Sequence, residues 1–187
     1  ANGDTEVNVL DVVSVVNHIL NVTVLDGCAL ESADVNSDGQ ANVLDIVSIV
    51  NIILGPRSAD AHTAQLIKLG DTLNLKADGY VGAVQLTLNH GDEFNIQLTE
   101  NAMVADFVTK GNETTLVVVA PEGETLFTAQ GEYEITEVLA ANSKGEIDVA
   151  VLSDRTRKKV PLPGRNSRFD DRPDRSCCTI CQRCRAA

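Results

Sequence analysis

The stretch D-V-N-S-D-G-Q-A-N-V-L-D at 34–45 has a near-copy 34 residues upstream, N-G-D-T-E-V-N-V-L-D at 2–11. This repeat constrains the fold more than any other feature, because an internal copy normally marks one supersecondary unit used twice. Asn36, Asp38, Asn42, Leu44 and Asp45 fall on Asn2, Asp4, Asn8, Leu10 and Asp11, and "IVSIVNIIL" (46–54) falls on "VVSVVNHIL" (12–20). In the complete copy, oxygen-bearing side chains recur at Asp34, Asn36, Asp38, Asn42 and Asp45, which are loop positions 1, 3, 5, 9 and 12, with Gly39 at position 6.

That spacing suits a hard dication such as Ca²⁺, which takes six to eight oxygens at about 2.3–2.6 Å from alternate residues of a tight loop. Position 6 needs a sharp turn that glycine makes without strain, and the carboxylate at position 12 closes the shell from the first turn of a following helix. Gln40 at position 7 offers its backbone carbonyl, and Glu6 is its counterpart. The metal-ligating set read from the pattern is Asn2, Asp4, Glu6 and Asp11 in the first loop, and Asp34, Asn36, Asp38, Gln40 and Asp45 in the second. The competing reading is a pair of ordinary Asp/Asn/Gly-rich turns. Two copies in the same phase, each leading into an apolar segment, favour the metal.

These residues resemble the type I dockerin family, with its duplicated calcium loop and helix; an aspartate rather than a glutamate at position 12 is part of that likeness. The resemblance implies bound Ca²⁺ and a protein partner built as a cohesin-like β-sandwich. Three departures stand out. The first loop has no position-1 aspartate and carries Thr5 where position 6 wants glycine. The pairs before the closing aspartates, Val9-Leu10 and Val43-Leu44, are apolar where the family often has Ser-Thr; by resemblance they are the partner-contacting residues. Because the first copy starts inside the motif, we expect a chain that begins at a cut, with site 1 short of one ligand.

The polar residues Asp11, Ser14 and Asn17, and Asp45, Ser48 and Asn51, recur every three positions. This predicts helices over 9–20 and 43–54 although β-branched residues dominate them. Apart from that stripe the helices are apolar nearly all round, more than two helices in 55 residues can hide. The surplus is expected to meet the following domain or a partner.

After a short linker (56–64), residues 65–153 alternate apolar stretches with Gly/Asn/Asp turns, the pattern of an antiparallel sandwich. Strands are expected at 65–69, 72–76, 82–88, 94–98, 104–109, 114–120, 132–139 and 146–151. "GYVGAVQLTLNHG" and "EVLAANSKGEIDV" resemble the opening and the closing hairpin of a cohesin-like sandwich. The fold class is therefore α+β multidomain: a small α-helical calcium-binding dockerin-like module at 1–55 plus an antiparallel β-sandwich.

Charge divides the chain. Residues 1–154 hold 5 Lys/Arg against 24 Asp/Glu, a net of −19, while 155–187 are basic, with 8 arginines and four of the five cysteines. The acidic body argues against a nucleic-acid partner. No run of 18 apolar residues is present, so no membrane span is expected. Cys177, Cys178, Cys181 and Cys184 crowd into eight residues, whereas zinc sites usually take two separated pairs. The segment 154–187 is expected to be an irregular basic tail.

No motif of a serine hydrolase, zinc protease or phosphate-cradling loop occurs. His90 beside Asp92 and Glu93 is the one candidate acid/base group, and a solvated turn is the simpler reading. The sequence thus points to a non-catalytic, extracellular calcium-binding assembly protein. Its module is expected to dock on a β-sandwich, in one form head to tail with further copies of itself. The alternative is the anchoring end of a secreted hydrolase or adhesin.

Overall fold

The structure, a computed structural model, describes residues 1–55 and 59–152. Three helices precede nine strands: α1 (Val9–Ile19), α2 (Gly27–Ala33), α3 (Val43–Leu54), then β1 (Thr63–Leu69), β2 (Thr72–Ala77), β3 (Ala83–His90), β4 (Asn95–Leu98), β5 (Val104–Lys110), β6 (Glu113–Val119), β7 (Thr125–Gln130), β8 (Tyr133–Asn142) and β9 (Gly145–Leu152).

Helices α1 and α3 start where the repeat places them, and for the same local reason. The Asn8 side chain accepts from the Leu10 amide at 2.8 Å, and the Asp11 carboxylate accepts from the Asn8 amide at 3.0 Å. Asn42 and Asp45 reproduce this reciprocal cap at 2.7 and 2.9 Å. Such a box satisfies amides that a helix start otherwise leaves open. Ser14 and Ser48 turn their hydroxyls back onto the carbonyls of Leu10 and Leu44, so the polar stripe costs the helices little. Gly55, with φ 77°, ends α3 in a conformation other residues resist.

The strands form two layers, β4-β7-β2-β1 and β8-β3-β6-β5, joined by β9. Its first residues pair antiparallel with β8, and Asp148–Leu152 run parallel to β1. Between the layers lies a core that includes Leu66, Leu73, Leu86, Leu88, Leu116 and Phe127. The two layers differ on their outer faces. Strands β1, β2 and β7 alternate buried and solvated positions for much of their length, as a sheet with one wet face does. Strands β3 and β6 do not: Leu116, Val117, Val118 and Val119 are all fully buried. In β3 and β6, Val84, Leu86, Leu88, Leu116 and Val118 face the inner core, while Ala83, Val117 and Val119 turn outward into a second core with α1 and α3.

That second core joins Val12, Val15, Val16 and Leu20 of the first repeat to Val43, Ile46, Val47, Ile49 and Val50 of α3. Helix α3 lies over β3 and β8, and α1 reaches β5. Much of the surplus apolar surface of the repeat is therefore covered by the sheet of the same chain, while Val9, Leu10, Ile52 and Leu54 stay exposed. Full burial of a Val, Leu or Ile side chain stabilises by about 1.5–3 kcal/mol, so this layer is a major part of the fold. All described residues belong to one compact unit.

Two elements differ from the sequence expectation. β7 was not among the expected strands: its adjacent buried pair Leu126-Phe127 breaks the alternation, beside a bulge between Leu73 and Asn74. α2 forms within what reads as a linker, and its seven residues are too few to show a helical period. Among the described residues no helix is long and apolar enough to cross a membrane. The expected basic tail and its cysteine cluster lie outside the described residues.

Candidate metal centre

In the second loop, three carboxylates converge. Asp34, Asp38 and Asp45 each offer an oxygen, and these oxygens lie within 4.8 Å of one another. The backbone builds this cluster. Asp34 accepts from the amides of Asp38 and Gly39 at 3.0 and 2.9 Å, which curls the loop around its first residue. Asn36 Oδ1 accepts from the Asp38 amide at 2.9 Å, and Asp38 Oδ1 from the Gln40 amide at 2.9 Å. Fully buried Asp45 accepts from Val35 and Asn36 at 2.8 and 3.1 Å with one oxygen, and from Asn42 with the other. It is both helix cap and loop closure.

Loop 1 repeats this network almost bond for bond. Asn2 donates from its side chain to Asp4 at 2.7 Å, as Asn36 does to Asp38 at 2.9 Å. Asp11 accepts from the amides of Asn2 and Asn8 at 2.9 and 3.0 Å, and from the Ala1 ammonium, which stands where the Val35 amide stands in loop 2. What loop 1 lacks among the described residues is a third converging carboxylate: Asp4 and Asp11 have no counterpart of Asp34. Glu6 is exposed and bonds to Asp4 only through its backbone amide, at 2.9 Å.

Each loop also makes two left-handed residues, and glycine occupies only one of them in each copy. Loop 2 has Ser37 (φ 60°) and Gly39 (φ 89°); loop 1 has Gly3 (φ 81°) and Thr5 (φ 70°). The β-branched Thr5 is thus held in backbone space that it enters at a cost.

Electrostatics agree with loops shaped around negative charge. The Asn36 side chain and the Gln40 amide hold the Asp38 carboxyl below its ordinary value of 3.8, and the Glu6 amide and the Asn2 side chain do so for Asp4. Burial pushes Asp11 up, but the ammonium and the Asn2 and Asn8 amides outweigh it and the net direction is down. Ionised carboxylates are what a hard cation binds. The second loop therefore fits such an ion, with Asp34, Asp38 and Asp45 supplying charge and Asn36 and the Gln40 carbonyl close by in the same turn.

The two apolar pairs named from the sequence end in different places. Val9 and Leu10 are exposed, Leu10 by 56%, whereas Val43 is fully buried and Leu44 half-buried. Two histidines are held by contacts of the fold, His18 on α1 and the sequence candidate His90. His18 accepts the Leu25 amide on Nδ1 at 3.0 Å, fastening the turn after α1. His90 bonds Thr114 Oγ1 at 2.8 Å and stacks on Phe94 at 4.1 Å between centroids. Asp92 and Glu93 beside it are exposed.

Residues 1–54 match the family model of the Dockerin type I domain. The dockerin-type segment thus covers both loops and all three helices. Among curated proteins no relative matches. Of solved structures, a non-cellulosomal cohesin from the hyperthermophilic archaeon Archaeoglobus fulgidus is similar at 14% identity and a TM-score of 0.35, over 48% of this chain and 84% of its own. That likeness is too distant to carry further inference.

A part of the site that sequence reasoning missed is the seat of α3. A Cβ built on Gly82 would stand 2.7 and 2.8 Å from the two methyls of Val47 and 3.3 Å from the Ala141 carbonyl. Gly82 is a notch in the sheet that admits Val47. Its signal in the sequence is the small-residue stretch Gly82-Ala83 together with the unbroken apolar run 116–119, which marks a strand covered on both faces.

Proposed function

We propose that this is a non-catalytic, extracellular assembly protein in which Ca²⁺ holds the dockerin-type module in shape for docking on a β-sandwich. In this reading residues 1–55 are the module, 56–64 the linker and 65–153 the sandwich. Ca²⁺ is held by Asp34, Asn36, Asp38, Gln40 and Asp45, and more weakly by Asn2, Asp4, Glu6 and Asp11. Its contribution is structural: it neutralises clustered carboxylates, and its binding energy becomes folding energy. The supporting observation is the seating of α1 and α3 on the apolar outer face of the β8-β3-β6-β5 layer, a contact between a module of this kind and a sandwich.

The same contact made between molecules, the module of one on the sandwich of the next, is heterologous and need not close, so it would grow a filament. Sedimentation velocity in millimolar calcium and in excess chelator tests this over a concentration series. Association that grows with concentration in calcium and reverses with chelator is expected. A monomer of unchanged shape in both buffers at every concentration would contradict the reading.

The exposed Val9 and Leu10 favour a second reading, in which the module also meets an outside cohesin-like sandwich and the chain anchors a secreted hydrolase or adhesin. An outside sandwich bound through α1 would lose affinity on Leu10→Asp, while self-association through α3 would not.

A further inference from the structure

We propose that the chain is locked on itself: the outer face of its β8-β3-β6-β5 layer is the docking surface for a module of its own kind, and α3 occupies that surface in cis. This rests on the assembly reading above and adds what controls it. A second copy can enter only by exchanging its module for the resident one.

Three features of the contact carry the proposal. First, the surface is shaped for this occupant. Gly82 leaves room for Val47, and the neighbouring outward side chains in the second core, Ala83 and Ala141, are small and fully buried. A flat apolar face has no need of such a notch. Second, the tether is short. α3 ends at Leu54, and by Asp60 the chain is bridged to Tyr80, two residues before Gly82. Gly79 lets the two segments approach so closely that a Cβ there would stand 2.5 Å from the Ala59 carbonyl oxygen. A module held this close has an effective concentration on the order of millimolar, so a free copy at micromolar concentration cannot displace it. Third, the lock uses the repeats unequally. Val43 of the second repeat is fully buried, while its counterpart Val9 stays exposed.

The experiment compares the full chain, Gly82→Ala, and Gly82→Ala/Val47→Ala by sedimentation velocity in millimolar calcium from micromolar to millimolar chain. Overpacking at the notch should weaken closure roughly tenfold to a hundredfold. Gly82 has no positive φ, so alanine suits its backbone, and trimming Val47 removes the overlapping methyls. The expected result is a compact monomer for the unaltered chain at micromolar concentration. Gly82→Ala weakens the same contact in cis and in trans, so it should give an extended form that associates with itself no better than the parent, and the double variant should return toward the compact monomer. An equal mixture of Gly82→Ala, whose module is intact, with Val47→Trp, whose surface is intact, should associate at concentrations at least tenfold lower than either variant alone. Amide protection in β1, β2 and β7 confirms that the sandwich is intact in each variant; if Gly82→Ala loses it, Val47→Trp, which overfills the notch from the helix side, takes its place.

An unaltered chain that already associates at micromolar concentration overturns the lock and leaves assembly standing. So does a variant with an intact sandwich that stays as compact and monomeric as the parent. Variants that extend but do not associate when mixed support the lock and overturn the assembly reading.

Discussion

The two repeats share their loop hydrogen bonds, their helix caps and most of their sequence, yet they end in different surroundings. Helix α1 leaves Val9 and Leu10 in solvent; α3 buries Val43 and sets Val47 into the notch at Gly82. The local structure follows from local sequence, because Asn8-Asp11 and Asn42-Asp45 are the same device. Which face is used follows from position: α3 is the helix tied directly to the sandwich. Duplication thus supplies two equivalent modules, and the tether breaks the equivalence.

The sharpest way to break this comparison is at the closing carboxylates. Asp45→Ala would remove a buried carboxylate that three backbone amides bond to and that joins loop to helix, and should cost about 3–5 kcal/mol. Asp11→Ala, in a loop without a converging third carboxylate among the described residues, should cost less than half of that. Urea unfolding in calcium measures both, and equal losses would mean that the loops are not functionally distinct.

Next come the apolar pairs. Val43→Ala should destabilise by about 1.5–3 kcal/mol through lost burial, whereas Val9→Ala should stay within about 0.5 kcal/mol, as surface changes do. The same unfolding curves decide this, and a Val9 effect as large as that of Val43 would place α1 against a covering surface. A smaller effect is expected at the left-handed positions. Thr5→Gly should stabilise by about 1 kcal/mol, while Gly39→Thr should destabilise loop 2 by a similar amount, both read from the same curves.

The smallest effect is in pH. Asp38 and Asp4 have carboxyls held below 3.8 by hydrogen bonds that need the ionised form. A depressed carboxyl adds stability that is fully present above its ordinary value and is lost as pH falls through its lowered one. The loops should therefore keep their shape down to about pH 3.8 and loosen only below it. Side-chain carboxyl shifts followed by NMR, without metal, check this; titration of either group above 3.8 would contradict it.

Much of this was legible from the residues. The repeat, the cap residues and the 3.6-type spacing place α1 and α3 almost to the residue, and turns at regular intervals mark most strands. β7 escaped because Leu126 and Phe127 are both buried, so no alternation survives beside the bulge. The covered outer face was written in Leu116–Val119, where an exposed sheet would alternate. What no local pattern reveals is the occupant of that face: a run of valines says that something covers the strand, not that the same chain supplies it. The notch at Gly82 is hinted at only by the small pair Gly82-Ala83 beside that run, and its role shows once Val47 is seen above it.

The central claim is that α3 rests on the sheet of its own chain. The most direct test is the nuclear Overhauser contact between the Val47 methyls and the Gly82 α-protons, recorded in calcium on a uniformly ¹³C-labelled sample and, isotope-filtered, on an equal mixture of labelled and unlabelled chains. The account predicts a strong cross-peak in the first and none in the second at micromolar concentration. A cross-peak in the filtered spectrum, or none in either, would contradict it.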